Sequence, residues 1–382
     1  MMDLIEVRHQ LHRLAEPSGE EQKTKQFILE TLSFFKPHQI HTFADSNHIV
    51  AEYDFGEGPT LLFRADFDAV RIRENLDTDY NSLTQGVSHK CGHDGHSTIL
   101  LGLAQKLFEH PLEKGKILLF FQAAEETGSG AAQFLHSQFL THYHHPHVYA
   151  LHNIPGEKSG TILGKSGSFT CSVVSCDIEL YGRTSHAAEP QLAICPYTAA
   201  KTITDKTLSL NQFDLSNPLY RLITLIEFQV GEKAYGVTAG TGVLRFTIRT
   251  QNDELLQKTK AEIETMVREI CDQEKLRYQI RWLEYFAASN NNSKAVDIVA
   301  RAAKELNLPY KEMPFPFSWG EDFGLLTQQY EGTLFGLGSG EKTASLHHPD
   351  FDFPDELIDI GSNLFYHIIK TELNNPFKTE NE

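Results

Sequence analysis

The stretch Lys116-Ile117-Leu118-Leu119-Phe120-Phe121-Gln122-Ala123-Ala124-Glu125-Glu126-Thr127-Gly128 decides the architecture. An unbroken apolar run of strand length is the pattern of a strand buried on both faces, as in a sheet covered by helices. It ends on adjacent carboxylates, and open α/β sheets bind ligands in the crevice beyond the carboxyl ends of their strands. Neighbouring side chains point apart, so one Glu can ligate a cation while the other faces a bound water as general base. Standing alone, the pair reads equally as the acidic first turn of a helix over Gly128–His136, which the helix dipole favours.

Outward from this strand, helical and strand patterns alternate over the first 165 residues. Asp3–Ala15 and Glu20–Phe34 have helical spacing, with Ser18 placed to cap the second. Ile49–Phe55 and Thr60–Ala65 read as strands, Gly95–Phe108 as a helix and Val148–Leu151 as another strand. This is an α/β layer with a mixed or parallel sheet. The rhythm then changes. Cys171–Tyr181, Arg221–Val230, Val243–Thr250 and Leu276–Tyr285 are strand-like, and Pro196–Leu208 and Asn252–Glu274 helical, the order of a split-βαβ unit. Helix Lys294–Leu306, helix Gly320–Gln328, strand Thr333–Leu337 and helix Asp355–Ile369 resume the first pattern. The economical reading is one α/β domain built from 1–168 and 287–382, with 169–286 inserted. There are no repeats, and the tail Asn374–Glu382 is expected to fray.

The chain has 382 residues, with 34 Lys plus Arg against 51 Asp plus Glu, a formal charge of −17. No basic stripe exists to neutralise phosphates, which argues against nucleic acid and against an anionic membrane surface. No apolar run of about 18 residues suggests a membrane span. The charged start Met1–Glu6 lacks a secretory apolar core. Five scattered cysteines form no disulfide framework and fit a reducing cytoplasm.

The strongest local signal is His89-Lys90-Cys91-Gly92-His93-Asp94-Gly95-His96. Cys, His and Asp ligate zinc-like ions, and here they crowd a Gly-containing loop before a long apolar helix. A helix-capping loop with one small buried cysteine is the alternative. Asp66 and Asp68 leave their strand two residues apart, on one face. His152 and His347 end or follow apolar strands. The clump His142, His144, His145 and His147 looks metal-like but reads as a solvated loop. What weighs most is conjunction, because Cys91, His93, Glu126, His152 and His347 come from one α/β domain and suffice for one or two divalent ions.

In this order the motifs resemble the metal-dependent amidohydrolases that include aminoacylase, hippurate hydrolase and the auxin–amino acid conjugate hydrolases. The match runs through Leu11-His12-Arg13, Ser18-Gly19-Glu20-Glu21, Arg64-Ala65-Asp66-Phe67-Asp68-Ala69, Cys91–His96, Glu125-Glu126 and Leu151-His152. It continues through Ser185-His186-Ala187-Ala188-Glu189-Pro190, Glu321-Asp322-Phe323 and Leu346-His347-His348-Pro349-Asp350. The resemblance implies a zinc-exopeptidase-like three-layer catalytic domain with an inserted α+β lid that makes a homodimer. It implies a metal pair on Cys91, His93, Glu126, His152 and His347, with His347 preferred over His348 because the family pattern is Leu-His-x-Pro. Zinc or manganese is implied first, with cobalt and nickel compatible. Glu125 would be the general base, His186 would stabilise the oxyanion, and Asp68 would join this catalytic set. Asp66 and Asp94 would orient the ligands from behind, and Arg249, matching the family's lid arginine, would meet a substrate carboxylate.

The chain departs from the family at Gln191, where His is common, and at Gly236-Val237-Thr238-Ala239, where an Asn-x-x-Pro turn is common. The implied reaction is hydrolysis of an N-acyl bond on an amino acid. Its rivals are a metallo-exopeptidase on small peptides and a silent metal- or ligand-binding relative.

Overall fold

The computed structural model describes residues 2–374, so the expected fraying of the tail past Asn374 lies outside the described residues. In chain order the strands are β1 (Gln39–Thr42), β2 (Ile49–Asp54), β3 (Thr60–Asp66), β4 (Lys116–Gln122), β5 (His147–Ile154), β6 (Ile162–Gly164), β7 (Gly167–Ser168), β8 (Ser172–Tyr181), β9 (Arg221–Val230), β10 (Thr241–Thr250), β11 (Arg277–Phe286), β12 (Asn290–Asn291), β13 (Tyr310–Glu312) and β14 (Gly332–Gly338). The helices are α1 (Leu4–Arg13), α2 (Gln22–Phe34), α3 (His93–Glu109), α4 (Gly130–His136), α5 (Tyr197–Leu208), α6 (Asp253–Gln273), α7 (Ser293–Glu305), α8 (Gly324–Thr327) and α9 (Leu357–Asn374). The described residues form two compact units, one of 2–169, Ser289–Pro314 and 321–374, the other of Thr170–Ala288 with Phe315–Gly320.

The first unit is α/β. Its eight-stranded mixed sheet has the order β1-β2-β4-β3-β5-β14-β6-β13, with β4, β3, β5 and β14 parallel at its centre. These strands bury both faces because helices cover them, which is why their sequences run apolar without alternation. Phe63, Phe121, Tyr149 and Phe335 join one core with Leu100 and Leu103 of α3 and Leu364 and Phe365 of α9. Close approach of α3 to α9 requires glycine at 102, where a Cβ would collide with the Ser362 hydroxyl. From β3 the chain enters β4 on one side and then crosses to β5 on the other, so β3 marks the switch point of the sheet.

The second unit is an antiparallel sheet of order β11-β8-β10-β9 with α5 and α6 on one face, the expected split-βαβ arrangement. Val174, Cys176, Ile178 and Leu180 alternate inward along β8 and meet Ile263 and Val267 of α6.

Three readings need correction. Ser18 does not cap α2; the helix begins at Gln22 and the Ser18 hydroxyl instead donates to Asp68. The helix expected over Gly320–Gln328 shrinks to Gly324–Thr327, because Glu321 and Asp322 are held by Arg64. His147 is buried at the start of β5 against Glu372, while His142, His144 and His145 are exposed as expected. The short strands β1, β6 and β13 carry too little apolar pattern to be read locally. No described helix is long and apolar enough to cross a membrane.

Candidate metal centre

The carboxyl ends of β3, β4 and β5 bring the acidic and imidazole side chains together. Beyond β3, the buried Asp68 accepts hydrogen bonds from the Ser18 hydroxyl at 2.6 Å, the Glu126 amide at 3.0 Å and His93 Nδ1 at 3.2 Å. His93 Nδ1 also donates to the Asp68 carbonyl at 2.9 Å. With a proton fixed on Nδ1, the ring can offer a cation the lone pair of Nε2 once the second proton is displaced. That nitrogen is buried with no hydrogen-bond partner. Around it stand Asp66 Oδ2 at 3.6 Å, Glu126 Oε1 at 3.8 Å and Glu125 Oε2 at 4.0 Å. What sets this nitrogen apart is that it faces three carboxylates, the environment of a cation.

Gly92, with φ +99°, turns the chain so that Cys91 and His93 flank the start of α3; a Cβ there would collide with Asn153. Cys91 Sγ lies 3.5 Å from His152 Nε2, and His152 Nδ1 sits 2.9 Å from the Asn153 carbonyl. Exposed His347, in the left-handed region at φ +62°, places Nε2 3.3 Å from Glu126 Oε1. His348 instead accepts from the Asp350 amide at 3.2 Å. The donor atoms group as Cys91, His93 and His152, and as Cys91, Glu126 and His347, each set within 4.8 Å.

Electrostatics suit a cation. Burial, then Glu126 and Glu125, push the Cys91 thiol well above its ordinary range, so a thiolate there needs a positive neighbour. Burial, with His96 adding, holds His152 well below its ordinary value, in the neutral form that ligates metals. For His93 burial acts downward but Asp66 and Asp68 outweigh it, raising the value to about 10. These donors fit divalent ions.

Glu125 sits behind this group. Burial, with Glu321 and Glu126, holds its carboxyl well above the usual range, and the Asp322 amide approaches its Oε1 at 3.4 Å. Arg64, fully buried on β3, pairs with Asp66 at 2.7 Å, Glu321 at 2.9 Å and Asp322 at 3.0 Å, and its Nε donates to Gln122 at 3.0 Å. His96 Nδ1 lies 2.6 Å from Asp66 Oδ1.

Not every expected residue joins the cluster. The Asp94 carboxylate turns to Arg8 at 3.3 Å and His12 at 2.8 Å, away from the ligand atoms. His186 and Arg249 belong to the second unit. There His186 is exposed, and its Nδ1 accepts from the Ala188 amide at 3.0 Å. Arg249, half-buried on β10, has burial acting against its charge, and the ionisable groups beside it are Cys171 and Tyr220, not a carboxylate. Sequence reasoning gave no role to Arg64, His96, Glu321 or Asp322. The available signals were a cation inside an apolar strand and a histidine one helical turn beyond His93.

The chain is similar to known proteins over nearly its whole length. The chain is 31% identical over 361 residues to an N-acetyldiaminopimelate deacetylase of Bacillus subtilis, covering 93% of this chain and 94% of that one. It is 30% identical over 369 residues to an N-acetyl-L-cysteine deacetylase of the same organism, covering 96% and 87%. The fold matches a B. subtilis protein described as a dinuclear metal-binding peptidase of the M20 family, with TM-score 0.83, 24% identity, and 97% and 98% of the two chains covered. The model of peptidase family M20/M25/M40 matches residues 62–371, and the chain belongs to that family.

Proposed function

We propose that this protein hydrolyses the N-acyl amide bond of N-acyl amino acids using two divalent cations. The observation that carries this reading is the buried, unpartnered Nε2 of His93 among carboxylates. Cys91, His93, Glu126, His152 and His347 would hold the ions, with zinc or manganese first and cobalt or nickel compatible with the same donors. Such ions, when bound, lower the pKa of a coordinated water toward about 7 and polarise the acyl oxygen.

The chain's own residues supply the rest. Asp68 fixes the His93 ring, and Asp66, held by Arg64 and His96, backs the same site. Glu125 takes the proton of the attacking water and passes it to the leaving amine; its acidic, buried surroundings raise its affinity for that proton. His186 donates from Nε2 to the oxygen that gains charge, a contact worth about 3 kcal/mol in the transition state. Arg249, with no carboxylate beside it among the described residues, receives the carboxylate of the amino acid. Deacetylase relatives that span nearly the whole chain support the substrate class.

A homodimer through the inserted unit fits Ile226 and Phe228, which are exposed on edge strand β9. A reducing compartment, the cytoplasm, suits a site that needs Cys91 as a thiolate, and the described cysteines are all free.

The test is to strip the protein with chelator, reload zinc or manganese, and assay N-acetyl, N-benzoyl and longer N-acyl amino acids beside dipeptides. Metal-dependent release of amine from the acyl amino acids is expected. Preference for dipeptides would make it an exopeptidase, and no turnover at full metal occupancy would make it a silent binding protein. Arg249→Ala should raise KM for N-acyl amino acids but not for their carboxamides.

A further inference from the structure

The segment Gly236-Val237-Thr238-Ala239 is where this chain departs from the family pattern, and in the structure it lies against the His186 loop. His186 and Val237 form an antiparallel bridge. The Ala187 amide donates to the Gly236 carbonyl and the Thr238 amide to the Ser185 carbonyl, each at 3.0 Å. The Ser185 amide breaks the backbone pattern. It donates to the Thr238 hydroxyl at 2.7 Å, so this rung of the ladder depends on a side chain. Beyond it the loop closes on itself: the Ser185 hydroxyl donates to the Glu189 carbonyl at 2.9 Å and the Glu189 amide to the His186 carbonyl at 2.8 Å.

This closed loop also sets the state of the imidazole. The Ala188 amide donates to His186 Nδ1 at 3.0 Å, so that nitrogen must carry a lone pair. A proton on Nδ1, in the other tautomer or in the cation, would face an N–H. In the neutral ring the hydrogen therefore sits on Nε2, a donor at an exposed position.

We propose that Thr238 is a positioning residue for His186. Its hydroxyl, by accepting the Ser185 amide, anchors the loop that keeps His186 an Nε2–H donor. This rests on the role given to His186 above. Valine matches threonine in shape but offers no acceptor, whereas serine keeps the oxygen.

The test combines nitrogen-15 NMR of the histidine side chains with kinetics on N-acetyl-L-cysteine, or on whichever N-acyl amino acid is hydrolysed fastest. His186→Ala identifies the His186 resonances and should lower kcat about 100-fold. Thr238→Val should mix the His186 tautomers and lower kcat about 10-fold, with KM and metal content within about twofold of wild type. Thr238→Ser should restore both. Wild-type tautomer and kcat in Thr238→Val, beside a disabled His186→Ala, would overturn the proposal and leave the role of His186 standing. Wild-type kcat in His186→Ala would remove that role and the proposal with it. Chemical shifts outside the loop reveal any general unfolding of the valine variant, in which case the alanine and serine variants at 238 decide by the same comparison.

Discussion

The amide of His347 donates to the carbonyl of Lys90 at 2.7 Å, tying the loop after β14 to the turn that carries Cys91. Lys90 is itself buried, with Nζ 2.8 Å from the Phe351 carbonyl and 3.2 Å from Glu74. A left-handed backbone at a non-glycine residue costs on the order of 1–3 kcal/mol and persists where surroundings enforce it. Here it delivers one imidazole of an adjacent pair to Glu126. His347→Asn should therefore reduce bound metal, measured by elemental analysis after dialysis, while His348→Asn should leave it unchanged. Equal losses in both would contradict the assignment.

Asp68 does for His93 what the loop does for His347. Removing such a partner typically costs about 10–100-fold in metal affinity. Asp68→Asn keeps the shape but can no longer accept from His93, Ser18 and Glu126 alike, so competition with a fluorescent chelator should show a weakening of that size. Ser18→Ala removes only one of these bonds and should weaken binding less.

Glu125→Gln preserves volume and removes the base. Metal content should stay at the wild-type level while kcat falls by about 10²–10⁴-fold. A variant that loses metal together with activity would make Glu125 a ligand.

The buried His12 provides a stability prediction remote from the reaction. Burial opposes its charge, but hydrogen bonds to Asp94 at 2.8 Å and Glu74 at 2.9 Å outweigh this and raise its pKa to about 9, despite nearby Arg8. The folded state thus holds its proton more tightly than the unfolded chain, whose histidine titrates near 6.5. The resulting stabilisation, about 3 kcal/mol, is complete below pH 6.5 and is lost as pH rises through 9. Urea unfolding of wild type and His12→Asn should differ more at pH 6 than at pH 9.5. A difference independent of pH would mean that His12 is neutral in the fold.

Much of this molecule is legible in its sequence because burial leaves long patterns. Lys116–Gln122 and Arg221–Val230 are read to the residue, since apolar and β-branched runs of that length leave few alternatives. What local patterns miss is set by partners far along the chain. His147 looks like part of a polar loop until Glu372 arrives from α9, and β13 exists because β6 offers it an edge. Glu321 and Asp322 have the composition of a helix start, yet Arg64 of β3 holds them in place. The expected ligand residues are brought close together, while Asp94 is drawn off by Arg8 and His12, charges that spacing along α3 cannot reveal.

The place of β14 in the sheet has a consequence for how the protein is made. It pairs with β5 on one side and β6 on the other, both translated long before it. During synthesis the early strands therefore leave the ribosome with a gap between them, while the inserted antiparallel unit is essentially complete once β11 has emerged. Domains generally fold as units as they appear, and that unit has its whole sheet available while the first still lacks a strand. Only when Gly332–Gly338 slots between β5 and β6, followed by His347 and then α9, does the cluster of donors close. A nascent chain arrested before β14 has Cys91, His93, Glu126 and His152 but lacks His347, so the full set of residues proposed to hold two ions exists only late in synthesis.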